Sequence, residues 1–145
     1  MAPLRVGITG ANGFIGSALC ASVQDVGLVA RRIVRELPAC EMRLGRSEVA
    51  ADGGDSADGA DAVAVGEIDG NTNWGQALRG CDVVIHLAAH QSISRQASTQ
   101  ADLAFDRVNT CGTMHLATQA AASGVKRFIF ISTVKIHGEV TQAGS

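Results

Sequence analysis

Three glycines carry the most specific chemistry in this chain. Gly10, Gly13 and Gly16 stand in G-A-N-G-F-I-G, after a β-branched stretch and before a helix-periodic one. A glycine at Gly10 allows a tight turn out of a strand. One at Gly13 lets backbone approach a diphosphate with no Cβ in the way, and one at Gly16 permits close packing of helix on strand. Unpaired N–H groups and the positive end of the helix dipole then face the anion. Asn12, Phe14 and Ile15 complete the loop and the first helical turn, and count with the glycines as dinucleotide-contacting positions. Without a strand before and a helix after, the pattern is only a glycine-rich turn, so the flanking elements carry much of the argument.

Little else in the sequence offers reactive groups. Cys20, Cys40, Cys81 and Cys111 form no C-x-x-C pair and have no histidine at ligand spacing, which argues against a metal site. Asp52, Asp55, Asp58 and Asp61 recur every third residue but lack the carboxylate, carbonyl and turn-glycine alternation of a calcium loop, so a solvated acidic loop is expected. The chain has no tyrosine, which excludes a phenol or phenolate from it. His86 lies in an apolar run, where a packing role is expected and no chemistry is assigned.

The elements that must position the glycines follow from periodicity. Residues 4–9 (LRVGIT) read as a buried strand, and residues 14–26 as a helix, with Ile15, Ala18, Leu19, Ser22, Val23 and Val26 at helical spacing before Gly27. Residues 28–34 (LVARRIV) read as a second strand made impure by Arg31 and Arg32, and Pro38 closes it or the turn after it. Residues 39–62 read as irregular. A short strand at 62–65, a short helix or turn at 72–79 and a central strand at 81–89 follow. A long amphipathic helix is expected over 102–123, then a fifth strand over 125–132 and a polar tail over 133–145. Strands alternating with helices imply an α/β fold: a Rossmann-like, doubly wound parallel sheet of about five strands in a three-layer αβα arrangement.

Length and charge agree with one dinucleotide-binding domain over residues 1–145. At 145 residues and 46% hydrophobic content the chain can bury a core without staples. A formal net charge of −2 gives no basic excess for nucleic acid, which is not an expected partner. No apolar run approaches the length of a membrane span, and glycines break the N-terminal stretch, so no signal peptide and no membrane association are expected. Free thiols and a cytoplasmic location are the corresponding expectations.

The spacing G-x-x-G-x-x-G is one residue longer between its first glycines than the usual nucleotide fingerprint. The segment RVGITGANGFIGSAL, followed in order by VIHLAA (84–89), RVNTCGTMHL (107–116) and GVKRFIFIST (124–133), resembles the extended short-chain dehydrogenases of the NAD-dependent epimerase/dehydratase family. That resemblance implies that Leu87, Ala88 and Ala89 pass under the adenine ribose and diphosphate, where small side chains are needed. It implies that Glu67, with the adjacent Ile68, takes the place of the Asp that contacts the adenine amino group; Glu for Asp is a departure, and Asp69 competes for the role. At the end of the second strand an acid suits the ribose hydroxyls of NAD and an arginine the 2′-phosphate of NADP. Arg35 and Glu36 both stand there, so the cofactor is NAD or NADP. Asn109 matches an Asn that braces the central helix against the active-site backbone. Thr133, with Ser132 beside it, matches the catalytic hydroxyl that bonds the reacting sugar oxygen.

The same resemblance implies a nucleotide-sugar substrate and hydride transfer at its C4, as in UDP-sugar 4-epimerases. The family's base is the Tyr of a Tyr-x-x-x-Lys pair, which this chain does not contain, and His137 stands where many relatives have an aromatic. The expectation is therefore a truncated, inactive cofactor-binding part, with the C-terminal strands and substrate lobe missing and the apolar edge at 125–131 prone to pairing, with a homodimer as one form. Two other readings remain open: a non-catalytic dinucleotide sensor or scaffold, and an NADPH-dependent ketoreductase of small ketones.

Overall fold

The β-branched run after Leu4 forms β1 (Arg5–Thr9), which lies in the middle of the sheet. The computed structural model describes residues 2–37, 61–90 and 99–133. β1 pairs with β2 (Val29–Val34) on one side and β4 (Val83–His86) on the other; β3 (Ala62–Ala64) extends the sheet beyond β2, and β5 (Arg127–Phe130) beyond β4. Every pairing is parallel, in the order β3-β2-β1-β4-β5. This is the expected doubly wound sheet. Its strand order reverses between β1 and β4, and a crevice opens at such a switch point, outside the carboxyl ends of the strands.

The sheet is covered on both faces because its central strands are apolar on both. On one face α1 (Phe14–Asp25) contributes Cys20 and Val23 to a core with Val6, Ile8, Ala30 and Val34. On the other, α2 (Gly75–Leu78) and the long C-terminal helix supply Ala77, Leu78, Leu116 and Ala120, which pack with Ile33, Trp74 and Val84. Ile8, Val84 and Leu116 are fully buried, and each contributes roughly 1.5–3 kcal/mol by leaving water.

The structure explains the impurity in β2 and corrects the long helix. Arg31 is buried against α2, where its Nε donates to Asp61 Oδ1 at 2.9 Å and its Nη1 donates to the carbonyls of Gln76, Ala77 and Arg79. The guanidinium thus satisfies carbonyls at the end of a helix that has no basic residue of its own there. The helix expected over 102–123 is α3 (Thr99–Phe105), a π-helical segment (Asp106–Gly112) and α4 (Thr113–Ala122) in unbroken succession. The strands are shorter than the apolar runs that signal them; β4 stops at His86, and residues 87–89 leave the sheet. β5 is an edge strand with Phe130 and Ile131 about half exposed. The acidic stretch before Asp61, Pro38, Cys40 and the tail from residue 134, with His137, lie outside the described residues.

Candidate functional site

The glycine turn leaves β1 at Thr9 and enters α1 at Phe14, and its three glycines do different jobs. Gly10 has φ +69°, and a Cβ there would stand 2.9 Å from the Ala88 nitrogen, so the turn lies directly against the exit of β4. At Gly16 a Cβ would overlap the Gly10 carbonyl oxygen and come within 2.8 Å of Ala11 Cα, so the helix can seat on the turn only without one. Gly13 differs. It is the N-cap of α1 with extended φ and ψ, and a Cβ would meet only the Gly10 oxygen, at 3.2 Å. The backbone conformation does not require a glycine at this position, and a Cβ would ask the Gly10 oxygen to give by a few tenths of an ångström. α1 has no side-chain cap and no acidic residue in its first turn, which leaves its opening amides and dipole without a competing carboxylate.

Beside this turn a cleft of about 780 Å³ opens over the carboxyl ends of the strands. Gly10, Asn12 and Gly13 line it from the loop, and Arg35 and Glu36 from the end of β2. Glu67 and Ile68 line it from beyond β3, and Ala88 and Ala89 from the exit of β4. Those nine positions are all among the residues singled out in the sequence. The far wall was not: Ala104, Arg107 and Val108 close it from the C-terminal helix, with His90 from the β4 exit and Ile33, Val34 and Val65 beneath. The available signal for the helix wall was the four-residue spacing of Ala104 and Val108.

Charged side chains line the cleft from the ends of β2 and β3 and from the helix wall, where Arg107 stands. Arg35 Nη1 pairs with Glu67 Oε1 at 3.2 Å, and both side chains remain more than half exposed. Arg32 Nη2 donates to Asn12 Oδ1 at 2.9 Å, tying β2 to the glycine loop. Asp69 is turned elsewhere: its Oδ1 accepts the Asn71 amide at 2.7 Å, and the Thr72 hydroxyl donates to the Glu67 carbonyl. Of the two candidate acids, Glu67 lines the cleft.

The wall formed by residues 87–90 is held from both ends. Thr9 Oγ1 lies 3.1 Å from the Leu87 nitrogen, 3.2 Å from the Ala88 nitrogen and 2.7 Å from His86 Nδ1. His86 Nε2 is 3.0 Å from Thr113 Oγ1, and the ring centroid lies 6.2 Å from that of Phe128 and 5.9 Å from that of Phe130 on β5. Burial pushes the His86 pKa down to about 4. At the other end Asn109, within the π segment, accepts the His90 amide at 2.7 Å and donates to the His90 carbonyl at 3.0 Å.

The remaining sequence candidates lie near the cleft or apart from it. Phe14 and Ile15 are exposed in the first turn of α1, Gly16 is buried beneath it, Leu87 begins the 87–90 wall with its side chain packed on the core, and Asn109 holds the other end of that wall at His90. Ser132 and Thr133 leave the end of β5 exposed and do not line the cleft. Among the described residues, no helix is long and apolar enough to cross a membrane.

A glycine turn with open helix amides, small residues packed directly against it and charged side chains along the same cleft are the features expected of a dinucleotide-binding crevice. Comparison with known proteins agrees. A UDP-glucose 4-epimerase from Vibrio cholerae is 35% identical over 142 residues, 98% of this chain and 38% of that enzyme. A short-chain dehydrogenase/reductase superfamily protein from Agrobacterium tumefaciens, solved with bound NAD, is 26% identical with a TM-score of 0.64, over 92% of this chain and 34% of that one. MoeE5, solved in complex with UDP-glucose and NAD, shares the fold at 21% identity with a TM-score of 0.69, over 94% of this chain and 38% of that one. This chain thus spans little more than a third of the length of these relatives. The model of the NAD dependent epimerase/dehydratase family matches residues 6–145, and the chain belongs to that family.

Proposed function

We propose that the cleft binds a nicotinamide dinucleotide, NAD or NADP, and that the protein acts on a nucleotide sugar by hydride transfer at C4, as a UDP-glucose 4-epimerase-like enzyme. On this reading the diphosphate rests on Gly10, Asn12 and Gly13 and on the opening amides of α1 at Phe14, Ile15 and Gly16. Leu87, Ala88 and Ala89 pass beneath the adenine ribose and diphosphate. Glu67 and Ile68 meet the adenine, Arg35 stands at its ribose, and Asn109 acts by holding the His90 backbone. When bound, the nicotinamide supplies a hydride acceptor and donor. Thr133, with Ser132 beside it, polarises the reacting sugar oxygen. These 145 residues contain no tyrosine, so a phenolic base is contributed from outside them, and on their own they bind cofactor without turnover.

The observation that carries the reading is Gly13. Any residue could adopt its backbone conformation, and a Cβ would meet one atom, the Gly10 oxygen at 3.2 Å, yet Gly13 borders the cleft at the mouth of an uncapped helix. A ligand that needs the backbone bare accounts for it. Titration calorimetry with NAD and with NADP tests this. Wild type should bind at least one of them, and Gly13→Val should keep its melting temperature and lose the binding. Absence of binding to either cofactor by wild type would refute the proposal.

A further inference from the structure

We propose that His86 is a positioning residue for the dinucleotide crevice. Its neutral ring, with the hydrogen on Nε2, directs the Thr9 hydroxyl so that this oxygen holds the Leu87 and Ala88 amides and fixes the β4 exit against the Gly10 turn. The inference rests on the crevice being the dinucleotide site, but the proton assignment does not.

Counting hydrogens makes the assignment. Thr9 Oγ1 has one hydrogen and two lone pairs. The amides of Leu87 and Ala88 both point to it, at 3.1 and 3.2 Å, and can only donate. Its acceptor capacity is filled, so toward His86 Nδ1, 2.7 Å away, the hydroxyl donates. Nδ1 therefore carries no hydrogen, the hydrogen sits on Nε2, and Nε2 donates to Thr113 Oγ1 at 3.0 Å. The ring is 1% exposed. Its neighbours from β1, β5 and α4 are Thr9, Phe128, Phe130 and Thr113, none of them charged.

Geometry gives the arrangement its consequence. The β4 exit approaches the glycine turn closely enough that a Cβ on Gly10 would stand 2.9 Å from Ala88 N, and Ala88 lines the crevice. A hydroxyl at Thr9 holding two consecutive amides sets that approach. The other nitrogen of the same ring reaches Thr113, four positions after Asn109, whose side chain grips His90. One imidazole therefore acts on residues 87–88 through the Thr9 hydroxyl and, through the helix, supports the grip on residue 90. Without the hydroxyl, two part-buried amides and the buried ring nitrogen lose their partner together, and the wall facing the ligand shifts.

The first test needs no ligand. Long-range 1H–15N correlation of 15N-histidine-labelled protein at neutral pH should show His86 as the neutral Nε2–H form. A cationic or Nδ1–H pattern would overturn the assignment. The second compares NAD affinities. Thr9→Val, nearly isosteric but without the hydroxyl, should weaken NAD binding roughly tenfold, the scale of one or two lost buried hydrogen bonds. Thr9→Ser should restore it to within about twofold, since it returns the same donor and acceptor. Unchanged affinity in a folded Thr9→Val protein would overturn the positioning role. If that variant does not fold, Thr113→Ala, which removes only the Nε2 partner, should give the same direction of change, and no change would overturn the role. Failure of wild type to bind NAD or NADP refutes the dinucleotide reading and the role in it, while the histidine spectrum still decides the tautomer.

Discussion

Lowering the pH from 7 to 5 should remove about 2 kcal/mol of folding stability through one ring. His86 is buried, and burial pushes its pKa from 6.5 to about 4. In the unfolded chain the imidazole is hydrated and titrates at its ordinary value, about 6.5. The folded pKa lies below the unfolded one, so between these values the unfolded state binds more protons, and stability falls as pH falls. The full difference, about 2.5 pH units at 1.36 kcal/mol each, is roughly 3 kcal/mol, of which about 2 is already lost at pH 5. Asp82, held low by its hydrogen bonds from Lys126 and the Arg5 amide, titrates below this window. Urea unfolding at pH 7, 6 and 5 should therefore give a steeper pH dependence for wild type than for His86→Gln, whose amide does not titrate. Subtracting the two curves removes the contribution of every other group. Parallel curves would refute the account of His86 as a buried, neutral, desolvated ring.

Outcomes at four other positions are expected. Gly16→Ala should destabilise the fold by about 1–3 kcal/mol or more, because its Cβ meets backbone that cannot yield cheaply. Gly13→Ala should stay within about 1 kcal/mol of wild type in the same melts while weakening cofactor binding. Arg31→Met should cost about 3 kcal/mol in chemical denaturation, since it removes the side-chain donor of the Arg79 carbonyl, leaves the Gln76 and Ala77 carbonyls with weaker partners and leaves Asp61 with Arg5 alone among the described residues, at 3.6 Å. Arg31→Lys should recover only part of that, one ammonium being unable to reproduce the fork. Arg35→Ala should weaken NADP at least fivefold more than NAD, read by calorimetry, through loss of a partner for the 2′-phosphate. The exposed pair with Glu67 is worth only about 0–1 kcal/mol and does not prevent that exchange. Equal effects on both cofactors would remove Arg35 from the ribose end.

What was legible in the sequence was set by local rules. The glycine turn and α1 follow from residues within one turn of each other, and the central strands from apolar runs that need cover on both faces. What was not legible depends on partners far along the chain. Arg31 looks like an intruder in β2 until α2 brings carbonyls to it from 45 to 48 positions away. His86 looks like packing until β1 and α4 supply its two hydroxyls, and Asn109 has no visible partner until His90 is folded against it. Glu67 and Asp69 look alike in the sequence, and they differ in the fold because Asp69 Oδ1 accepts the Asn71 amide in a local turn while Glu67 lines the cleft. The π segment left one trace, a five-residue gap between Cys111 and Leu116 in an otherwise three-and-four pattern.

The wide turn at Asp106–Gly112 also limits which changes in length this region can accept. Sixteen positions separate Ala104, on the crevice, from Ala120, in the core. In a regular α-helix they would end up rotated apart by about 160°. The wide turn takes up about one residue's worth of that rotation, so removing one residue from 106–112 would restore regular winding and leave both halves facing nearly as they do. A second deletion, or an insertion, would swing one half of the rod by about 100° relative to the other, and either the ligand wall or the hydrophobic seam would then face water. A single deletion in this stretch should therefore be tolerated better than the same deletion elsewhere in the rod.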